Sequence, residues 1–344
     1  MPFGGRACPS RPSARRDACP RRTRFRRRPR PAEREMTQAG TTPLLLCLGD
    51  IDIDIILRVP HPPGRDQKVD GRQVAQSAGG MAANVAVGAC RLGTRTRILG
   101  AVGDDAMGQE ALGSLGNEGL DLSHVATRHG SATFFCVVMV DDEGEKSLVK
   151  AVSPAYLPRP DDLTPEAFAG VDHVHLTFTE HDLAAAALVR ARGVGASVSL
   201  DLEAADVPPG GGRVGELIEN VDLLFVSEQS RSEIERRIGP LATGHGKTIV
   251  MTRGKRGARL ENGSTLLDVA GHKVAVTDTS GAGDAFAAGF LHARLSGADD
   301  LAALHFANAA AAISTRGYGA QAGLPTRREV EDFLKLRSCE GSNA

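Results

Sequence analysis

The sequence predicts an α/β protein: a parallel sheet covered by helices, with a second, small β-sheet beside it. Three observations carry this reading. From residue 172 onward, apolar strand-like runs alternate with segments of helical spacing, the rhythm of a parallel sheet covered by helices. Residues 43–48 form a short continuous apolar run ending at Gly49, as expected of a central strand buried on both faces. Segments near 53–58, 68–76, 132–140 and 146–152 stand outside that rhythm and make a candidate separate sheet.

Composition agrees. The chain has 344 residues, of which 41% are hydrophobic but only 4% aromatic, with no Trp, so its core rests on Ala, Val, Leu and Ile. A net charge of −1 conceals an asymmetry. Twelve Arg against three carboxylates give residues 1–35 a charge of +9, leaving −10 for the remainder. A mildly acidic body argues against nucleic acid as the main partner. None of the six cysteines forms a C-x-x-C pair, and Cys47, Cys90 and Cys136 lie in apolar runs, so free thiols in a reducing, cytoplasmic setting are expected. No apolar run approaches the ~18 residues needed to span a bilayer, so no membrane partner is expected.

Residues 1–41 are rich in Arg, Pro, Ala and Ser and are expected to be a disordered extension. The break in composition before Met36 suggests that Met36 is the true start. After the strand at 43–48, Asp50, Asp52 and Asp54 alternate with Ile51, Ile53 and Ile55, which places the carboxylates on one face of an extended segment. Gly79-Gly80 opens a small-residue helix that Gly93 ends. A strand over 94–102 and a helix over 106–118 follow. The acidic turn at 141–144 joins 132–140 and 146–152 in a hairpin. Strands are predicted at 172–177, 197–202, 222–227 and 248–252, with helices at 181–193, 213–220 and 229–238. Asn262-Gly263 marks a further hairpin within 257–276. Helices at about 284–296, 299–314 and 326–336 complete a domain spanning 42–337, with segments 53–76 and 131–153 as its small sheet and 338–344 as a flexible tail.

The chemistry centres on Asp278-Thr279-Ser280-Gly281-Ala282-Gly283-Asp284, followed by an apolar helix. A glycine loop opening into a helix aims unpaired N–H groups and the positive end of the helix dipole at one point, which suits a phosphate. Asp284 stands at the rim of that pocket. A carboxylate beside an anion is electrostatically odd unless it handles a proton or a metal. The plainer account is a glycine turn with Asp284 capping the helix.

Two glycine-rich helix starts far apart in one chain need a joint explanation. Gly79-Gly80-Met81-Ala82-Ala83-Asn84-Val85-Ala86 resembles the first signature of the ribokinase/PfkB family of sugar kinases, and 278–284 resembles the second. The run 306–312 leading to Thr315-Arg316-Gly317-Tyr318-Gly319-Ala320 resembles the family's C-terminal pattern less specifically. The similarity covers residues 43–336 and implies a ribokinase-like fold, a doubly wound, mostly parallel sheet flanked by helices, with a small β-sheet lid over the sugar.

By this resemblance, Asp284 is the base for a sugar hydroxyl, and the N–H groups of Gly281, Ala282 and Gly283 form an anion hole for the γ-phosphate of ATP. Asp54, Asp52, Gly80 and Asn84 match sugar-contacting positions. Asp52 stands where Asn is often found. Thr252, Gly254 and Gly257 match a nucleotide-contacting turn, and Asn308 lies near the adenine pocket. The resemblance also implies Mg2+, leaves K+ activation open with Asp278 as a candidate ligand, and suggests a homodimer through the lid. One departure concerns the metal. The family's N-x-x-E reads Ser227-Glu228-Gln229-Ser230 here, which leaves Glu228, one position away, as the candidate ligand. The leading expectation is an ATP-dependent kinase of a ribose-like, ketohexose-like or related sugar. A nucleoside kinase of the same family, a non-catalytic sugar- or nucleotide-binding relative, and a nucleic-acid binder using the Arg arm are the alternatives.

Overall fold

The computed structural model describes residues 42–243 and 246–341. The expected extension at 1–41, with its proposed start at Met36, lies outside the described residues. In chain order the strands and helices are β1 (Leu44–Leu48), β2 (Asp52–Arg58), β3 (Arg72–Gly79), α1 (Met81–Arg91), β4 (Arg95–Leu99), β5 (Ala101–Gly103), α2 (Ala106–Asn117), β6 (Ala126–Arg128), β7 (Phe135–Val140) and β8 (Lys146–Ala151). The chain continues with β9 (His173–Leu176), α3 (His181–Val194), β10 (Ser197–Asp201), α4 (Val214–Asn220), β11 (Leu223–Ser227), α5 (Glu228–Ile238), β12 (Thr248–Thr252), β13 (Ala258–Asn262), β14 (Thr265–Val269), α6 (Ala282–Leu295), α7 (Asp300–Ser314) and α8 (Arg327–Gly341).

The main sheet has eight strands in the order β14-β13-β12-β11-β10-β9-β1-β4. Its strands pair in parallel from β12 to β4, while the β12–β13 and β13–β14 pairings at one edge are antiparallel. The strand β1 shows why a continuous apolar run is needed at the centre. Leu45 and Cys47 enter one core with α1, α6 and α7, while Leu44, Leu46 and Leu48 enter a second core with α3, α4 and α5. Both faces of the sheet are thus covered, as parallel sheets require. The four-stranded sheet β3-β2-β7-β8 is the expected small sheet. Cys47, Cys90 and Cys136 are free thiols. Among the described residues, no helix is long and apolar enough to cross a membrane.

Three expectations need correction. The strand expected over 94–102 is two strands: β4 joins the main sheet, whereas β5 pairs with β6 in a two-stranded sheet. The break falls at Gly100, where a Cβ would stand 2.7 Å from Ile51 Cδ1 and 3.0 Å from the carbonyl oxygen of Gly49. Asp50 does not share the β2 face with Asp52 and Asp54. It precedes the strand, and its carboxylate accepts from the N–H of Ala82 and the hydroxyl of Thr177, both at 3.2 Å. It therefore caps α1 from outside the helix. Finally, α8 runs past the expected end at residue 336 to Gly341, so the tail expected at 338–344 is helical over 338–341; residues 342–344 lie outside the described residues.

Candidate active site

The site forms where the C-terminal ends of the parallel strands meet the N-terminus of α6. This is the edge at which open α/β sheets bind ligands. A cavity of about 350 Å³ is lined there by residues from β10 and β11, by Thr252 of β12, and by Thr279, Gly281, Ala282, Gly283 and Asp284. Met81, the first residue of α1, also lines it.

The glycine loop is shaped by close approach. Gly281 has φ 70°, and a Cβ there would stand 2.9 Å from backbone and side-chain atoms of Ala320. A Cβ on Gly283 would meet nothing within 4 Å, so that face of the loop opens on the cavity. No side chain caps α6. The N–H of Ala282 donates to the carbonyl of Thr279 at 3.2 Å, while those of Gly281 and Gly283 have no protein acceptor among the described residues. The loop thus retains donors for an anion, although one of the three expected is engaged within the turn.

Asp284 lies in the first turn of α6, yet it caps nothing. Its Oδ2 accepts from the side-chain amide of Asn84, on α1, at 2.8 Å. Burial pushes its carboxyl up to about 7. Asp50, Glu203 and Asp54 add to this effect, and the Asn84 hydrogen bond opposes it. Asn84 is not a helix-start cap either, since Asp50 fills that role. Its Oδ1 accepts from Nε2 of Gln321 at 3.1 Å.

Beside Asp284 lies a second group of carboxyls, on the small sheet. Asp52 and Asp54 project from the same face of β2, and ligand atoms of Asp52, Asp54 and Cys136 all lie within 4.8 Å of one another. The Cys136 thiol donates to Asp52 Oδ2 at 3.3 Å, whereas the buried Oδ1 has no partner. Burial, then Asp54 and Asp50, push the Asp52 carboxyl well above the usual range. Burial and then Asp50 push Asp54 up to about 6. A Cβ on Gly79 would stand 2.5 Å from both Asp52 Oδ1 and Asp54 Oδ2, so the two carboxyls pack against β3 where no side chain fits. A buried acceptor without a partner suits a hydroxyl donor. Gly80 (φ 97°) packs on the carbonyl of Asp50, which a Cβ would approach to 2.6 Å.

The remaining sequence-derived residues divide. Thr252 lines the cavity. Gly257 is required by packing, because a Cβ there would stand 2.0 Å from the carbonyl oxygen of Val269; at Gly254 a Cβ would meet nothing within 4 Å. The basic residues of that turn face carboxylates: Arg253 pairs with Asp268, and Arg256 with Glu228. Glu228 is thus engaged at the start of α5. Asn308 is buried and donates to the carbonyls of Val269 and Ala270 at 3.3 and 3.4 Å. Asp278 accepts from Lys146, from the N–H of Ser280 and from the N–H of Gly319. Burial raises its carboxyl, but these donors prevail and hold it down at about 2.

Sequence reasoning missed Gln321, Lys146, Cys136, Asp201 and Glu203. Asp201 ends β10 and lines the cavity with Glu203. A carboxylate at the C-terminal end of a parallel strand is a signal that could have found it.

A model of the pfkB family carbohydrate kinases matches residues 42–327. The chain is 33% identical over 299 residues to an ATP-dependent ribose-1-phosphate kinase of Halopiger xanaduensis, covering 85% of this chain and 98% of that one. It is 31% identical over 304 residues to a ribokinase of Bacillus subtilis, covering 84% and 99%. The structure of Arabidopsis thaliana ribokinase complexed with ribose and ATP aligns with a TM-score of 0.73 at 25% identity, covering 86% of this chain and 99% of that one.

Proposed function

Because the chain belongs to the pfkB family of carbohydrate kinases, we propose that it transfers the γ-phosphoryl group of ATP to a hydroxyl of a ribose-like or ketohexose-like sugar, with Asp284 as general base. The observation that carries this reading is the position of Asp284. It is a buried carboxyl raised to about 7, at the mouth of a helix N-terminus and held by Asn84. A group poised near neutrality can take a proton at physiological pH.

The sugar lies against Asp52, Asp54, Gly80 and Asn84, with its hydroxyls donating to the carboxyl oxygens of β2. Asp284 accepts the proton of the attacking hydroxyl as that oxygen bonds to the γ-phosphorus. The bond from that phosphorus to the bridging oxygen breaks, and ADP leaves. The free N–H groups of Gly281 and Gly283, joined by that of Ala282 as the turn adjusts, face the charge on the transferred group. Thr252 borders the nucleotide, with Gly254, Gly257 and Asn308 shaping the wall behind it.

The cavity has Asp201, Glu203 and Asp284 in its lining and no basic side chain. A polyphosphate enters such a place only with a cation, so the residues fit Mg2+ with Asp201 and Glu203 as holders, Glu228 being occupied by Arg256. When bound, Mg2+ would neutralise phosphate charge. At Asp278 the Lys146 ammonium already supplies positive charge, so no K+ is assigned there. The exposed Val74 and Val149 of the small sheet support a dimer through that sheet.

The test is Asp284→Asn. Turnover should fall ~100-fold or more, the scale of general-base loss, while the sugar still raises the melting temperature. Near-wild-type turnover would exclude the role. A non-catalytic binder predicts no ADP release from ATP with any sugar of a panel.

A further inference from the structure

We propose that Gln321, in the segment between α7 and α8, is a positioning residue that keeps Asp284 ionised by fixing which end of the Asn84 amide faces it. The inference rests on Asp284 being the general base.

The geometry leaves the amide one useful orientation. Asn84 has a single carbonyl oxygen, and Nε2 of Gln321 donates to it at 3.1 Å. That bond leaves the NH2 end to face Asp284, where it donates to Oδ2 at 2.8 Å. All three residues are buried, and Asn84 and Gln321 lie behind the cavity that Asp284 lines, so the bond between the two amides has no ready substitute. An ionised carboxylate only accepts, and an NH2 donor therefore favours it over the protonated form.

Gln321 is itself anchored. Arg91 donates to the carbonyl of Gln321 at 2.7 Å and to that of Leu324 at 3.0 Å. It projects from the same helix as Asn84, seven positions and so two turns later, on one face. Glu118 holds the Arg91 guanidinium with two hydrogen bonds, at 2.9 and 2.6 Å. The C-terminal segment is thereby clamped to α1 in the register that delivers Gln321 to Asn84.

The charged groups around Asp284 make this donor count. Asp50 before β2 and Asp54 on β2 disfavour a further negative charge, and Asp201 at the end of β10 and Glu203 beyond it do so until a bound cation offsets them. Against them, and against burial, the Asn84 amide is the opposing contact. Turning the amide round would present a carbonyl oxygen to Asp284 and favour its protonated form.

The experiment is the pH profile of kcat/KM for the full chain, over about pH 5.5 to 9, with Gln321→Leu, Gln321→Met and Gln321→Glu. Leu and Met release the amide and should raise the acid limb by about half a unit. Glu accepts from the Asn84 NH2, turns the amide, and should raise the limb by about one unit, roughly a tenfold loss near pH 6 with the alkaline plateau retained. The position of the limb does not depend on how much of the variant is folded. A limb left in place by all three variants, or a loss uniform across pH, overturns the proposal. Asp284→Asn measured alongside separates the two readings: if it stays active, the base assignment itself fails.

Discussion

Lys146, on the small sheet, donates a hydrogen bond at 2.6 Å to the hydroxyl of Ser280, in the glycine loop before α6. The same ammonium pairs with Asp278. One side chain therefore ties the small sheet to the glycine loop. Lys146→Met removes the tie without adding bulk. Because the pair is partly exposed, about 1 kcal/mol is at stake, so the sugar KM should rise roughly fivefold. Steady-state kinetics with the sugar varied would show it; an unchanged KM would mean that the contact does not hold the sheet over the site.

The raised carboxyls make stability depend on pH. Asp54 and Asp206 are pushed to about 6 and Asp284 to about 7, in each case chiefly by burial. A carboxyl raised in the folded state binds its proton more tightly there than in the unfolded chain. Its contribution is full below the unfolded value, near 4, and is lost as pH rises through the folded value. Asp121 and Asp278, held at about 2, change only in the acid range. His173, His175 and His292, pushed down to about 3, 3 and 4 chiefly by burial, act in the opposite sense, because the unfolded chain binds their protons below about 6.5. The carboxyl effect is therefore read against the wild type: Asp284→Asn should gain melting temperature at about pH 8 relative to about pH 5.5. A pH dependence that the substitution leaves unchanged would contradict the burial argument.

Gly79→Ala probes the sugar end. The new Cβ would stand 2.5 Å from Asp52 Oδ1 and Asp54 Oδ2. Overpacking of this kind costs about 1–3 kcal/mol, or roughly five- to 150-fold in sugar KM. Thermal shifts should show a weakened response to sugar with the response to ATP intact. Equal loss of both would point to a general collapse instead.

Ser227 tests the altered stretch before α5. Its hydroxyl accepts from the N–H of Ser230 at 3.0 Å and caps the helix. Ser227→Ala should cost about 1 kcal/mol of stability and leave the Mg2+ dependence of turnover as it is. Denaturant melts and a metal titration read the two effects separately, and a shifted metal requirement would place Ser227 in the metal site.

The fold was legible because its signals are local. A strand buried on both faces must be apolar at every position, as Leu44–Leu48 is, and a helix on a sheet must repeat its apolar residues at helical spacing. The glycine loops were legible for a related reason: Gly80 and Gly281 adopt positive φ and pack where no Cβ fits. The errors came where a local pattern was ambiguous. The alternation of Asp50, Asp52 and Asp54 looked continuous, but the strand starts only at Asp52. Gly100 ended one strand and started another inside a single apolar run.

By itself, then, the sequence determined the order of most strands and helices, the separation of the small sheet from the main one, and the two glycine turns that mark the candidate site. Only the tertiary structure decided what the polar side chains do. Asn84 and Asp284 are 200 positions apart, and Gln321 is 237 from Asn84. A lone Asn at a helix start, or a lone Gln in a loop, has no periodicity to betray its partner. Burial leaves each of these groups no water to turn to, so packing of distant segments sets which donor meets which acceptor.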